Sequence, residues 1–306
     1  MIETWQQDLP HGITLSCRAS GERGRPVLLF LHGFPEAAFA WDALLEHFAR
    51  PENGGYRCVA PNLRGYEHSS APTDVRDYRA RHLLQDIAAL IDAESPGAPL
   101  AALVAHDWGG ALAWAFANQH PSCLRKLVIV NAPHPGTYLR ELQNNPAQCA
   151  ASAYMNFLVR PDAARLLTEN GHARLFGFFE GMGASAAPGT PGAPAGAGWL
   201  TEDVRKQYRA VWDLGVQGGL NYYCASPLHP ASAHEVQLPA EALRIAMPTL
   251  VLWAQDDIAL LPCLCEGLEE HVPHLKLVPL HQATHWVVHE QPQRVIAEIS
   301  AFLQAQ

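Results

Sequence analysis

APLAALVAHDWGGALAWAFANQH, Ala98 to His120, is the stretch from which the fold can be read. Leu100 to Ala105 is an apolar run, short and dense enough for a buried strand. His106-Asp107-Trp108-Gly109-Gly110 comes next. An alanine-rich segment of helical composition and length then runs unbroken to Pro121. The chain therefore reads as strand, sharp turn, helix, with one carboxylate at the apex. Ala105 and Gly109, two before and two after Asp107, are small enough to let the strand and helix backbones approach.

Aspartate is also a favoured helix N-cap. The turn alone leaves Asp107 between that role and a nucleophile held out on an elbow, where serine is usual and alanine here takes the place of the first glycine. The rest of the chain decides between them. Upstream, Gly12–Ser20 alternates weakly and ends in Gly21-Glu22-Arg23-Gly24; with the strand after that turn it reads as a hairpin of edge strands. Val27–Leu31 is an apolar strand that runs into His32-Gly33-Phe34-Pro35-Glu36, and a loop at the carboxyl end of a buried strand is where ligands sit in open α/β sheets. Ala37–Arg50 has apolar residues at helical spacing; Tyr56–Ala60 is the next strand, and Tyr78–Ala93 an amphipathic helix.

Downstream, Lys126–Val130 is a further strand. Strand–helix alternation then stops from about Pro135 to Ala246 and resumes with strands at Thr249–Ala254 and Leu275–Pro279 and a last helix near Gln293–Gln304. Strands alternating with helices imply a mostly parallel sheet covered on both faces. The expected organisation is an α/β core from residues 1–134 and 247–306, with 135–246 inserted as a helical cap. Within the cap, GMGASAAPGTPGAPAGAG, residues 181–198, is expected to be a flexible loop because Gly, Ala and Pro cannot build a core.

Composition narrows the function. At 306 residues the chain has the length of one large domain or two moderate ones, and a hydrophobic content of 48% is ample for a core. A net charge of −9 and no basic stripe argue against nucleic acid or an anionic membrane as partner. The N-terminal MIETWQQDLPHG has neither a basic flank nor an apolar centre, so no signal peptide is expected. Seven scattered cysteines suit reduced thiols in the cytoplasm. His281, His285 and His289 at i, i+4, i+8 invite a metal, but Pro279 and the strand-like run before them interrupt a continuous helix, and H-E-x-x-H is absent. No metal or cofactor is expected.

An aspartate nucleophile needs a base to free its ester, and the base needs an orienting carboxylate. In folds with this elbow the chain order is nucleophile, acid, histidine. Asp256 and Asp257 stand just past the strand Leu250–Trp253, and His285 lies in the loop past the last strand.

HGFPE (His32–Glu36), PNLRGYEHSS (Pro61–Ser70), AHDWGG (Ala105–Gly110), VNAPHP (Val130–Pro135), WAQDD (Trp253–Asp257) and THW (Thr284–Trp286) together resemble the epoxide hydrolases of the α/β-hydrolase fold. The resemblance spans the chain apart from the 181–198 insert. It implies Asp107 as nucleophile, His285 as base, and Asp257, four residues after Trp253, as the acid, with Asp256 as alternative. It further implies an oxyanion hole from the backbone N–H groups of Phe34 and Trp108. AYMNFLV and GLNYYCA resemble the family's two cap-tyrosine segments and implicate Tyr154 and Tyr223; Tyr222 stands where the family usually has tryptophan. The implied reaction opens a small apolar epoxide with water to a vicinal diol; a homodimer is left open. The alternatives are a haloalkane or haloacid dehalogenase using the same Asp-His-Asp set, and a ligand-binding homologue without turnover. Phe34 where haloalkane dehalogenases often carry Asn, and no arginine beside Asp107, weigh against the first; the filled triad weighs against the second.

Overall fold

The computed structural model describes residues 1–181 and 196–305. Eight strands form one sheet: β1 (Glu3–Asp8), β2 (Thr14–Ser20), β3 (Val27–Leu31), β4 (Arg57–Pro61), β5 (Ala102–His106), β6 (Leu127–Val130), β7 (Thr249–Ala254) and β8 (Leu275–Leu280). Their order across the sheet is β1-β2-β4-β3-β5-β6-β7-β8. The first two pairings are antiparallel and the rest parallel.

Along each central strand, alternate side chains enter opposite layers. Leu29, Leu31, Leu103 and Ala105 join one core, whereas Leu28, Phe30, Ala102 and Val104 join the other. This is what a strand buried on both faces requires, and it explains why these strands read as continuous apolar runs.

The helices α1 (Asp42–Ala49), α2 (Ala80–Glu94) and α3 (Asp107–Gln119) lie within the first half of the sheet's sequence. Between β6 and β7 the chain is helical: α4 (Pro135–Asn144), α5 (Pro146–Ala151), α6 (Met155–Leu158), α7 (Ala163–Gly181), α8 (Glu202–Trp212) and α9 (Gln217–Ala225). Then α10 (Val287–Glu290) and α11 (Pro292–Gln304) close the fold. Of the Gly/Ala/Pro insert, residues 182–195 lie outside the described residues.

One local expectation is corrected. β2 does not form a hairpin with the segment after it. Its hairpin partner is β1, before it, and its other neighbour is β4. ETWQQD lacks an apolar alternation that would mark β1 as a strand, because Trp5 is its one large apolar side chain, as suits an outer strand with little to bury.

β3 leads to neighbours on either side, back to β4 and forward to β5. The crevice beyond the carboxyl ends of β3 and β5 is the switch point of the sheet, where ligands bind in such folds. The loop from His32 and the turn at Asp107 both open there.

Candidate active site

Asp107 has φ +50°, a left-handed conformation that a non-glycine residue holds only under constraint from its surroundings. The constraint is close packing. A Cβ on Gly109 would come within 2.5 Å of the Leu31 carbonyl oxygen, one on Gly110 would strike Ala132, and one on Gly33 would strike the Asp107 carboxylate itself. Those glycines bring β3, β5 and α3 close enough for the bend to project its side chain into the crevice.

Two backbone donors meet that side chain. The Phe34 N–H donates to Asp107 Oδ1 at 2.7 Å, and the Trp108 N–H also bonds the carboxylate. The Phe34–Pro35 peptide is cis. Opposite, His285 Nε2 lies 3.6 Å from Asp107 Oδ2. Its other nitrogen, Nδ1, lies 2.7 Å from Asp257 Oδ2.

Asp257 is fixed in turn. Oδ1 accepts from the Ala259 and Leu260 N–H groups, and Oδ2 accepts from Asn131 Nδ2 at 3.0 Å. Asp256 is half-buried and is tied through its backbone N–H to the Ala283 carbonyl. Of the two carboxylates left open by the sequence, it is therefore Asp257 that the fold brings to His285.

Burial alone would lower the pKa of His285, but the charges and hydrogen bonds of Asp257 and Asp107 overcome it and push the imidazole up to about 10. For Asp107, burial would raise the pKa, yet hydrogen bonding and charge from His285 bring it below the ordinary value. The resting site is thus a buried imidazolium between two carboxylates. Because the folded pKa of His285 exceeds the unfolded value of 6.5, its stabilisation is complete below pH 6.5 and is lost as pH rises through about 10. Thermal unfolding followed from pH 6 to 10 should show the wild-type melting temperature fall by about 2 °C or more relative to that of His285→Gln. Parallel curves would contradict the coupling.

Tyr154 and Tyr223 reach the same narrow cavity from the helical segment, and Phe34, Asp107, His285 and Trp286 line it with them. Tyr223 meets Trp108 edge-on at 5.0 Å, Phe34 at 5.5 Å and Tyr154 at 6.4 Å between ring centroids. Burial drives both phenol pKa values well above 10, so each stays protonated at neutral pH. Behind Tyr223, the Tyr222 hydroxyl donates to the Arg64 carbonyl at 2.9 Å, and Gly218 packs against Gly65 too closely for either to carry a Cβ. These contacts seat α9 on the loop after β4.

Sequence reasoning gave no role to the layer beneath. His106 Nδ1 lies 2.9 Å from Glu36 Oε2, and its Nε2 lies 2.9 Å from the His285 carbonyl oxygen. His289 Nε2 lies 2.6 Å from Glu36 Oε1, with the Tyr208 hydroxyl 3.4 Å from the same oxygen. Burial would raise the Glu36 carboxyl, but hydrogen bonds from His106 and His289 hold it far below the usual carboxylate range. The available signal was a carboxylate and an imidazole at the ends of two apolar strands; which groups they would meet was not written locally. His289, which with His281 and His285 invited a metal, is committed to Glu36 instead.

The family profile described as alpha/beta hydrolase fold matches residues 26–292. AB hydrolase superfamily protein YfhM of Bacillus subtilis is 31% identical, covering 97% of this chain and 96% of its own. Epoxide hydrolase 4 of Mus musculus is 31% identical, covering 95% of this chain and 77% of its own. The chain belongs to the epoxide hydrolases of the alpha/beta hydrolase fold. Among solved structures, a variant of the Bacillus megaterium epoxide hydrolase complexed with its product, (R)-3-[1]naphthyloxy-propane-1,2-diol, superposes with a TM-score of 0.85 at 29% identity, covering 98% of this chain and 100% of that one. Family membership thus extends along nearly the whole chain, including the helical segment that carries Tyr154 and Tyr223.

Proposed function

We propose that this protein is an epoxide hydrolase that converts an apolar epoxide and water to a vicinal diol through an alkyl ester on Asp107. The observation that carries the reading is the shared cavity: a carboxylate backed by an imidazole on one wall, and two protonated phenols, Tyr154 and Tyr223, on the other. A dehalogenase would have no use for that pair, whereas epoxide opening needs it. Attack on carbon leaves an alkoxide, a poor leaving group unless protonated, and a neutral phenol can supply the proton at pH 7. The epoxide hydrolase relatives and the diol-bound structure support the same choice.

Phe34 holds Oδ1, so Oδ2 is the attacking atom. It bonds to an epoxide carbon, the ring C–O bond breaks, and the oxygen takes a proton from Tyr154 or Tyr223. Alkylation removes the negative charge of Asp107, which is one of the two charges raising the pKa of His285. His285 therefore gives up its proton, which restores the phenol, and the neutral imidazole, steadied by Asp257, takes a proton from water as the water oxygen attacks the ester carbonyl. Oδ1 becomes the oxyanion, met by the Phe34 N–H that already donates to it and, in this reading, by the Trp108 N–H. As this intermediate collapses, His285 hands the water's proton to Oδ2 and the diol leaves with that oxygen; the water oxygen stays in the Asp107 carboxyl group, whose proton passes to His285. A single turnover in heavy-oxygen water should therefore label Asp107 before it labels diol. Label appearing directly in the diol would refute the ester route.

Each of Tyr154→Phe and Tyr223→Phe is expected to slow ester formation by about 10²-fold, and the double variant by about 10³-fold or more, in pre-steady-state kinetics. Rates within threefold of wild type would remove the phenols from the reaction. The helices of residues 135–246 form the cap in this reading, laying the phenols over a nucleophile supplied by the core. No described helix is long and apolar enough to cross a membrane. The seven cysteines are all free, which suits a reducing compartment, and we place the protein in the cytoplasm.

A further inference from the structure

Gln148, on α5, is fully buried and reaches out of the inserted helical segment to the loop that carries Asp257. Its Nε2 donates to the Ala259 carbonyl at 2.8 Å, and its Oε1 accepts from the Leu261 N–H at 3.0 Å. The peptide gripped at Ala259 is the one whose N–H, that of Leu260, donates to Asp257 Oδ1 at 2.9 Å. A donor on its carbonyl polarises that peptide and makes the N–H a stronger donor in turn. From Asp257 the contact continues through Oδ2 to His285 Nδ1 at 2.7 Å.

The second amide hydrogen of Gln148 goes the other way. It meets Ser152 Oγ at 2.9 Å, four residues on. Ser152 Oγ lies 3.2 Å from the Tyr138 hydroxyl, which donates to Met155 Sδ at 3.4 Å. Ser152 opens the short 3-10 turn Ser152–Tyr154, and Met155 follows it. Both ends of the turn that bears Tyr154 are therefore tied back to the same amide. Both donor hydrogens and the acceptor oxygen of Gln148 are engaged, as burial of an amide requires.

Resting on the epoxide hydrolase reading, we propose that Gln148 is a positioning residue for both steps of the reaction. Through the Ala259–Leu260 peptide it holds Asp257 against His285 for ester hydrolysis; through Ser152 it holds Tyr154 over Asp107 for ring opening. The acid and the phenol come from segments more than a hundred residues apart, and one neutral side chain fixes the distance between them. A small error in such placement is enough to slow a reaction whose groups must meet within a fraction of an ångström.

The test uses Gln148→Met, which keeps length and neutrality but loses the hydrogen bonds, and Ser152→Ala, which cuts only the arm toward Tyr154. Ester formation and ester hydrolysis are followed separately, by pre-steady-state kinetics on a styrene-type epoxide. Gln148→Met should slow each step about tenfold, the size of one buried hydrogen bond. Ser152→Ala should slow ester formation about fivefold and leave hydrolysis within about twofold of wild type. Gln148→Glu, of the same shape, takes the place of the Met variant if that one does not fold, and should show the same loss in hydrolysis. Wild-type rate constants in the folded Gln148 variant, or a loss in Ser152→Ala shared equally by both steps, overturn the proposal; the ester formed by the wild type still stands. A second arm needs no turnover: NMR titration of the His285 imidazole in the free protein. Asp107, Asp257, the His106 ring at 4.7 Å and Glu290 face that imidazole, and none of them changes in these variants. Its pKa, about 10 in the wild type, should fall by about half a pH unit or more in Gln148→Met as Asp257 slackens, and stay unchanged in Ser152→Ala. Identical titrations in all three proteins overturn the proposal even if no epoxide is hydrolysed.

Discussion

Asp107→Asn is expected to lower diol formation by at least about 10⁴-fold while leaving the protein folded. The amide has nearly the shape of the carboxylate. Its oxygen can still accept the Phe34 N–H that now meets Oδ1 at 2.7 Å, so the strained bend keeps its anchor. What it lacks is an oxygen able to displace carbon. It also removes one of the two charges that hold His285 as an imidazolium, so the pKa of His285 should drop from about 10 in the variant. The measurements are kcat/KM on an aliphatic and a styrene-type epoxide, thermal unfolding, and intact mass to exclude deamidation back to aspartate. Activity within tenfold of wild type, with the amide still present, would end the covalent scheme.

His285→Gln is expected to separate the two halves of the reaction. Ester formation depends on Asp107 and the phenols and should persist. Hydrolysis depends on proton removal from water and should slow by about 10³-fold or more. Mixing the variant with excess epoxide should therefore give about one equivalent of ring opening and then near-silence, with the mass of one substrate added to the protein and mapped to Asp107. Glutamine can still accept or donate toward Asp257 but cannot take a proton, so the loss reports chemistry more than packing. If epoxide disappears in the variant without any adduct, His285 is not the residue that frees the ester.

The layer under His285 shows why some of the site was illegible in the sequence. Glu36 and His106 are seventy residues apart and meet at 2.9 Å only because β3 and β5 are neighbours. Their pairing is a consequence of sheet order, and no local pattern in the chain encodes sheet order. The same holds for Asn131, which reaches across from the end of β6 to hold Asp257 and the backbone of Ala254. Tyr222 is a milder case: its position was evident, but not that its hydroxyl would find the Arg64 carbonyl and so seat the helix bearing Tyr223.

Local chemistry was enough to locate the buried strands, the bend at Asp107 and the loop of His285. Apolar runs, glycine spacing and the punctuation after each strand act over a few residues and leave their mark there. The choice between Asp256 and Asp257 illustrates what lay beyond it. Both come after the same strand, and successive residues at a strand end point in different directions. Only the packed chain, with the Ala259 and Leu260 N–H groups and Asn131 arranged around one carboxylate, decides which of them faces the imidazole.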